Sequence, residues 1–137
     1  MSESSSLEQK LDTTTIRIET DTGLERASLT VYRAVSSKHK YTGLSNASNL
    51  SENTGMLFIY ERSDTRTFVM RDMSFPLDIL FFGSSGRLRK IYEAPLSSNE
   101  RTQFYRETAR WVLETNYHWS RQHNVTPGDR LVIGQGQ

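Results

Sequence analysis

Two acidic residues stand where a carboxylate is costly. Asp78 interrupts the run Leu77–Phe82, with Leu77, Ile79 and Phe81 on one face of a strand and Leu80 and Phe82 on its own. Glu114 lies inside Trp111–Thr115, again among apolar residues. A carboxylate removed from water must be paired or hydrogen-bonded, because its lost hydration is otherwise uncompensated. Arg71, just before a tight bend, is a natural partner for Asp78, and Asp72 follows it. Arg71, Asp72, Asp78 and Glu114 together predict a polar cluster at the mouth of the fold. Two carboxylates and an arginine suit polyol binding or acid–base chemistry, with Asp78 and Glu114 as the candidate catalytic pair. The plainer reading is an internal Asp–Arg pair, or a carboxylate capping backbone amides of the bend, since structural ion pairs also occur inside domains.

A second group is aromatic. Tyr60, Tyr92, Phe104, Tyr105, Tyr117 and Trp119 fall near strand or loop ends, and Tyr117 and Trp119 complete the expected ligand-binding set. Aromatic faces beside carboxylates suit hydroxylated ligands. Phe58, Phe68, Phe81 and Phe82 read as core.

Other chemistries are closed or thinly supported. With no cysteine among 137 residues, there is no thiolate nucleophile, disulfide or Cys-ligated metal. His118 and His123 are five apart, not at the spacing that puts two ligands on one helical face. No metal site or cofactor is therefore expected, although Asp72, Asp78 and Glu114 leave an all-oxygen cation site open. There is no nucleophile elbow and no P-loop; Gly83–Gly86 reads as a hairpin turn. Seventeen Lys and Arg against 16 Asp and Glu give a net charge of +1. That offers no basic footprint for nucleic acid. No apolar run approaches the ~20 residues of a membrane span, and the Ser-rich start lacks a signal-peptide pattern. A cytoplasmic protein with no membrane or nucleic-acid partner is the expectation. The sequons at Asn46, Asn49 and Asn124 read as chance.

The elements that must position these residues are strands. Residues 1–13 read as a disordered tail, 14–134 as one domain and 135–137 as a frayed end. Ile16 and Ile18, then Ala27, Leu29 and Val31, alternate with polar residues around Asp21-Thr22-Gly23, which predicts a hairpin. Residues 36–54 are turn-rich, with Tyr41, Leu44 and Leu50 as inward anchors and Gly55 free to take positive φ. Met56–Tyr60 and Arg66–Arg71 read as two strands joined by a turn at 61–65. Leu77–Phe82 and Leu88–Glu93 form a second hairpin, and 96–108 is irregular. Trp111–Thr115 is a strand, Asn116–His123 a turn or two of helix capped by Asn116, and Thr126–Asp129 a type II turn before a closing strand at 131–133. About eight short strands with one or two short helices predict a mainly β fold, a sandwich or barrel.

Six segments occur in a recognisable order: Thr42-Gly43-Leu44, Gly55-Met56-Leu57-Phe58, Thr67-Phe68-Val69-Met70-Arg71, Pro76–Phe81, Val112-Leu113-Glu114 and Gly128-Asp129. In these the chain resembles the DUF192 (UPF0127) family of uncharacterised bacterial and archaeal proteins, over residues 14–134, with archaeal members looking nearest. The chain departs from the family pattern at Ser45-Asn46, Val69, Arg71-Asp72 and Asn116–Trp119. The resemblance implies a jelly-roll-like β fold and carries no activity with it.

Three functions are consistent with these readings. The first is a binding module for a small polar ligand, such as a carbohydrate. Its site would be Arg71–Asp78 with Glu114–Trp119, and residues 96–108 would cover it. The second is a hydrolase or lyase using Asp78 and Glu114. The third is a structural protein that assembles through exposed strand edges; the sequence leaves the oligomeric state open.

Overall fold

The computed structural model describes residues 11–45, 47–70, 72–96 and 103–134. The expectations placed on residues 1–10 and 135–137, on Asn46, on Arg71 and on residues 97–102 lie outside these. Seven strands and two short helices follow one another. They are β1 Thr13–Glu19, β2 Glu25–Ala34, α1 Ser37–Thr42, β3 Thr54–Val69, β4 Leu77–Phe82, β5 Leu88–Ala94, β6 Phe104–Asn116, α2 Trp119–Gln122 and β7 Arg130–Ile133. Leu11, ahead of β1, already packs against the core.

All seven strands belong to one sheet, in the order β5-β4-β6-β3-β2-β1-β7. The fold is mainly β as expected, a single sheet curled into a half-barrel, with seven strands among the described residues where about eight in a sandwich or barrel were expected. The curl brings the outer strands together at one end. Leu88 N donates to Asp129 O at 2.8 Å, and Leu131 N donates to Gly86 O at 2.9 Å. Part of the strand edge available for assembly is thereby paired within the chain.

Period-two alternation splits the core across the sheet. One cluster draws on all seven strands: Ile16, Leu29, Leu57, Leu80, Leu88 and Leu113 with the partly buried Leu131, and Trp119 of α2 joins it. This is the face toward which the sheet curls. The opposite face carries Met56, Phe58, Ile79, Phe81 and Val112, covered by the segment around Leu44 and Leu50 and by Met70, Met73 and Phe75. Every residue of β4 is buried. A central strand covered on both faces reads as a continuous apolar run, which is how Leu77–Phe82 presents itself.

Both predicted hairpins form. β1 pairs antiparallel with β2, and β4 with β5. The parallel pairing of β2 with β3 is the exception to the antiparallel pattern, and residues 35–53 make the required crossover. That segment contains α1, absent from the sequence reading. Ser36 Oγ caps it by accepting from His39 N at 3.1 Å. Leu44 and Leu50 point inward as expected, but Tyr41 is 89% exposed.

Four local expectations are corrected. Residues 61–65 are no turn: β3 runs for 16 residues, and a bulge between Ile59 and Asp64 absorbs the polar insert. β6 begins at Phe104, so the second part of the supposed irregular stretch is strand, with Tyr105 and Ala109 turned inward. Asn116 ends β6 and caps no helix; its side chain donates to Leu50 O at 2.9 Å. Gly55 needs no positive φ. A Cβ there would stand 2.7 Å from the backbone oxygen of Glu114, so close strand approach is what demands glycine. The turn at Thr126–Asp129 forms as read, with Gly128 at φ 99°.

Candidate functional site

β4 and β6 are hydrogen-bonded neighbours, and their register separates the two acids. Asp78 pairs with Thr115 and Glu114 with Ile79, so successive positions place the two carboxyls on opposite faces. The sheet does not bring this predicted pair together.

Asp78 is wholly buried on the inner face. Its Oδ1 accepts from His118 N at 2.8 Å, and its Oδ2 accepts from Ser120 N at 3.0 Å and Ser120 Oγ at 2.5 Å. The carboxylate therefore holds the entry to α2, where His118 takes a left-handed φ of 69°. Capping backbone amides was the plainer of the two readings of this residue. The bonds come from the β6–α2 junction, not from the bend before β4. Tyr117 stacks on the His118 ring at 3.9 Å, and Trp119 is packed into the inner core. Neither joins Glu114.

Glu114 lies on the outer face, 5% exposed, at the base of a cavity of about 250 Å³. The cavity opens between two covers. On one side is the end of α1 with Lys40 and the Thr42–Ser45 loop. On the other are Thr67–Val69 together with Asp72 and Met73. Phe58 and Tyr60 of β3 complete it. The Glu114 carboxyl has no hydrogen-bond partner among the described residues, and burial pushes its pKa up to about 8. Asp72, exposed and at φ 63°, shares the cavity. Of the six residues expected at the site, these two come together, and Arg71 lies outside the described residues.

Lys40 and Thr67, which the sequence reading does not assign to the site, line the cavity, as do Phe58 and Phe68, expected only as core. Lys40 Nζ stands 4.1 Å from the centre of the Tyr60 ring, and the Arg66 guanidinium carbon stands 3.7 Å from it. Burial lowers the Lys40 pKa, the Arg66 charge lowers it further, and Glu61 opposes both. Burial raises the Tyr60 pKa against the pull of Arg66, and Glu114 adds to the rise. Thr67 Oγ1 accepts from Arg106 Nε at 3.1 Å, which leaves its hydroxyl proton free to donate. Phe58 and Phe68 meet edge to face with ring centres 4.9 Å apart, opening an aromatic series that continues through Phe81, Tyr92 and Tyr105. Among the described residues, no group of three or more His, Asp or Glu is placed to hold a metal ion. Nor is any helix among them long and apolar enough to cross a membrane.

The curled single sheet is an architecture shared with solved structures. A family profile places the chain in a named class: residues 17–133 match DUF192, described as Uncharacterized ACR, and the chain belongs to that family. A candidate transcription regulator of Sinorhizobium meliloti 1021 is 31% identical, with a TM-score of 0.80 over 90% of this chain and 95% of that one. A protein of unknown function from Novosphingobium aromaticivorans DSM 12444 is 25% identical, with a TM-score of 0.76 over 90% of this chain and 87% of that one. No curated protein matches the chain. The cavity is built from the motifs that carry the family resemblance: Thr42-Gly43-Leu44, Phe58, Thr67-Phe68-Val69 and Glu114 all line it.

Proposed function

We propose that this protein binds a small polar molecule in the cavity over Glu114. One observation carries the reading: a carboxyl group, nine-tenths buried and without a partner among the described residues, faces an open cavity. A buried polar group left unmade costs about 1–3 kcal/mol, and a ligand that hydrogen-bonds to it recovers that cost. Aromatic walls with a few convergent polar groups are the usual make-up of a small-ligand site, and 250 Å³ suits a small one. A carbohydrate is one such molecule, but cations already lie against the Tyr60 ring on which a sugar would stack. The test is a fragment screen by NMR on the intact protein. Binders should shift the resonances of Glu114, Tyr60 and Thr67 together. A screen whose hits all fall elsewhere would end the proposal.

A second reading keeps an enzyme in view. Glu114 is buried and Asp72 exposed, and the two share the cavity. Carboxyl groups in unlike environments are how one site supplies both an acid and a base. Turnover by a hydrolase or lyase substrate panel, abolished in Glu114→Gln and in Asp72→Asn, would favour it over simple binding.

A further inference from the structure

The hydrogen-bonding groups of the cavity narrow the chemistry of its ligand. Lys40 makes no ion pair among the described residues and has three N–H donors. The Tyr60 hydroxyl has no partner among the described residues, and burial keeps it protonated. Thr67 has a hydroxyl proton to give. Glu114, neutral at pH 7, presents an O–H as well as a carbonyl oxygen. Among the described lining residues, Asp72, exposed at the rim, is the acceptor-only side chain. The Tyr41, Thr42 and Ser45 hydroxyls also line the cavity and can donate or accept, so among the described lining residues the groups able to donate outnumber those that can only accept. Charge points the same way. Lys40 and Arg66 converge on Tyr60, and Arg66 spends its side-chain bonds on the carbonyls of Ala109 and Arg62, not on an acid. Beyond the donors, Phe58, Phe68 and Met73 give an apolar wall.

From these groups, and resting on the cavity being a binding site, we infer that its ligand is a small organic monocarboxylate. The ligand carboxylate lies between the Lys40 ammonium and the Glu114 carboxyl group, and the apolar body lies against Phe58, Phe68 and Met73. Arg66 is already held by two carbonyls, so Lys40 is the cation left for a ligand among the described lining residues; one such cation matches a monoanion, whereas a phosphate dianion would call for more. A protonated carboxyl donating to a carboxylate makes a charge-assisted hydrogen bond, stronger than a neutral one. Ionised Glu114 would instead repel the ligand. The titratable and charged groups around it are Lys40 from α1, Tyr60, Glu61 and Arg66 from β3, and Asp72 from the bend.

The test uses the intact protein with benzoate and butyrate as probes, and glucose and benzylamine as controls. Calorimetry reads affinity, and the side-chain carboxyl carbon of Glu114 reads location. Either acid should bind and shift that carbon, with affinity falling roughly tenfold between pH 7 and 9 as Glu114 ionises. Glu114→Gln keeps a donor at every pH, so it should retain binding and lose most of the pH dependence. Lys40→Met should weaken binding by about tenfold or more. If glucose or benzylamine shifts the Glu114 carbon and the acids do not, the carboxylate assignment is overturned while the cavity remains a binding site. If none of the four shifts it, the assignment is likewise overturned, and the fragment screen decides the cavity on its own. Affinity for the acids that rises with pH would also overturn it.

Discussion

Asp78 and Glu114 occupy neighbouring strands at adjoining register positions, yet they point to opposite faces of the sheet. A shift of one position in either strand would have placed them side by side, because side chains alternate with a period of two. The arrangement gives them separate work. Asp78 is consumed by three hydrogen bonds that fix the entry to α2. Glu114 makes none among the described residues and faces the cavity.

The role of Asp78 predicts its mutants. Asp78→Ala leaves a buried N–H, a part-buried N–H and a buried hydroxyl without their acceptor and should cost roughly 3 kcal/mol or more. Asp78→Asn keeps one acceptor oxygen and should cost less. Urea denaturation measures both. Ligand probes of the outer cavity should bind Asp78→Asn as they bind the wild type, since the sheet stands between. An Asp78→Ala protein as stable as wild type would remove the capping role.

Glu114 should make stability depend on pH in an unusual sense for an acid. Its pKa is raised from 4.5 to about 8, so between these values the folded protein holds a proton that the unfolded chain has released. Stability therefore falls as pH rises through that window, by an order of roughly 3 kcal/mol by pH 7. Glu114→Gln has no proton to lose. It should match the wild type near pH 4 and exceed it at pH 8, and denaturation at both pH values reads the difference. Equal pH dependence in the two proteins would show that Glu114 is not held neutral.

How much of this was legible follows from what each signal depends on. Alternation is a local property, so the hairpins β1–β2 and β4–β5 and the buried β4 could be read directly. The length of β3 could not, because its polar insert at 61–65 looks like a turn until β6 is known to run opposite it. The start of β6 was hidden by Arg106, Glu107 and Thr108; its inward positions are Tyr105 and Ala109, an alternation that small residues make faint. At the site, Asp78 and Glu114 were rightly marked as buried acids, since apolar neighbours on both sides say so. Which face each takes depends on register between strands distant in sequence, and no local pattern encodes that. Lys40 and Thr67 were invisible for the same reason. They are ordinary polar residues until the crossover and the bulged strand bring them together.

The junction that joins the two outer strands rests on another buried acid. Asp129 Oδ2 accepts from Thr126 N at 2.9 Å and from Arg26 Nε at 3.2 Å, with Asp129 itself 4% exposed. Asp129→Ala should cost about 2–3 kcal/mol by leaving the turn amide and a half-buried guanidinium unpaired. Hydrogen exchange should locate the damage: the amides of Leu88 and Leu131, which bridge the outer strands, should exchange faster, while those of β3 and β6 are unchanged. Uniform loss of protection across the sheet would show that Asp129 supports the whole fold and not this junction.

Gly55 offers the most direct probe of the packing beneath the cavity. Its α-carbon faces the backbone of Glu114 so closely that an added Cβ would meet that carbonyl oxygen at 2.7 Å. Backbone cannot swing aside as a flexible side chain can, so Gly55→Ala must push β3 and β6 apart where Met56 pairs with Glu114. Overpacking of this kind costs about 1–3 kcal/mol. The displacement should also admit water to the Glu114 carboxyl and lower its pKa toward the ordinary value, because burial is what raises it. Carboxyl-carbon NMR titration of Gly55→Ala measures that pKa, and thermal unfolding measures the stability. A destabilised variant with the Glu114 pKa still near 8 would mean that the strands separate elsewhere and the floor of the cavity stays closed.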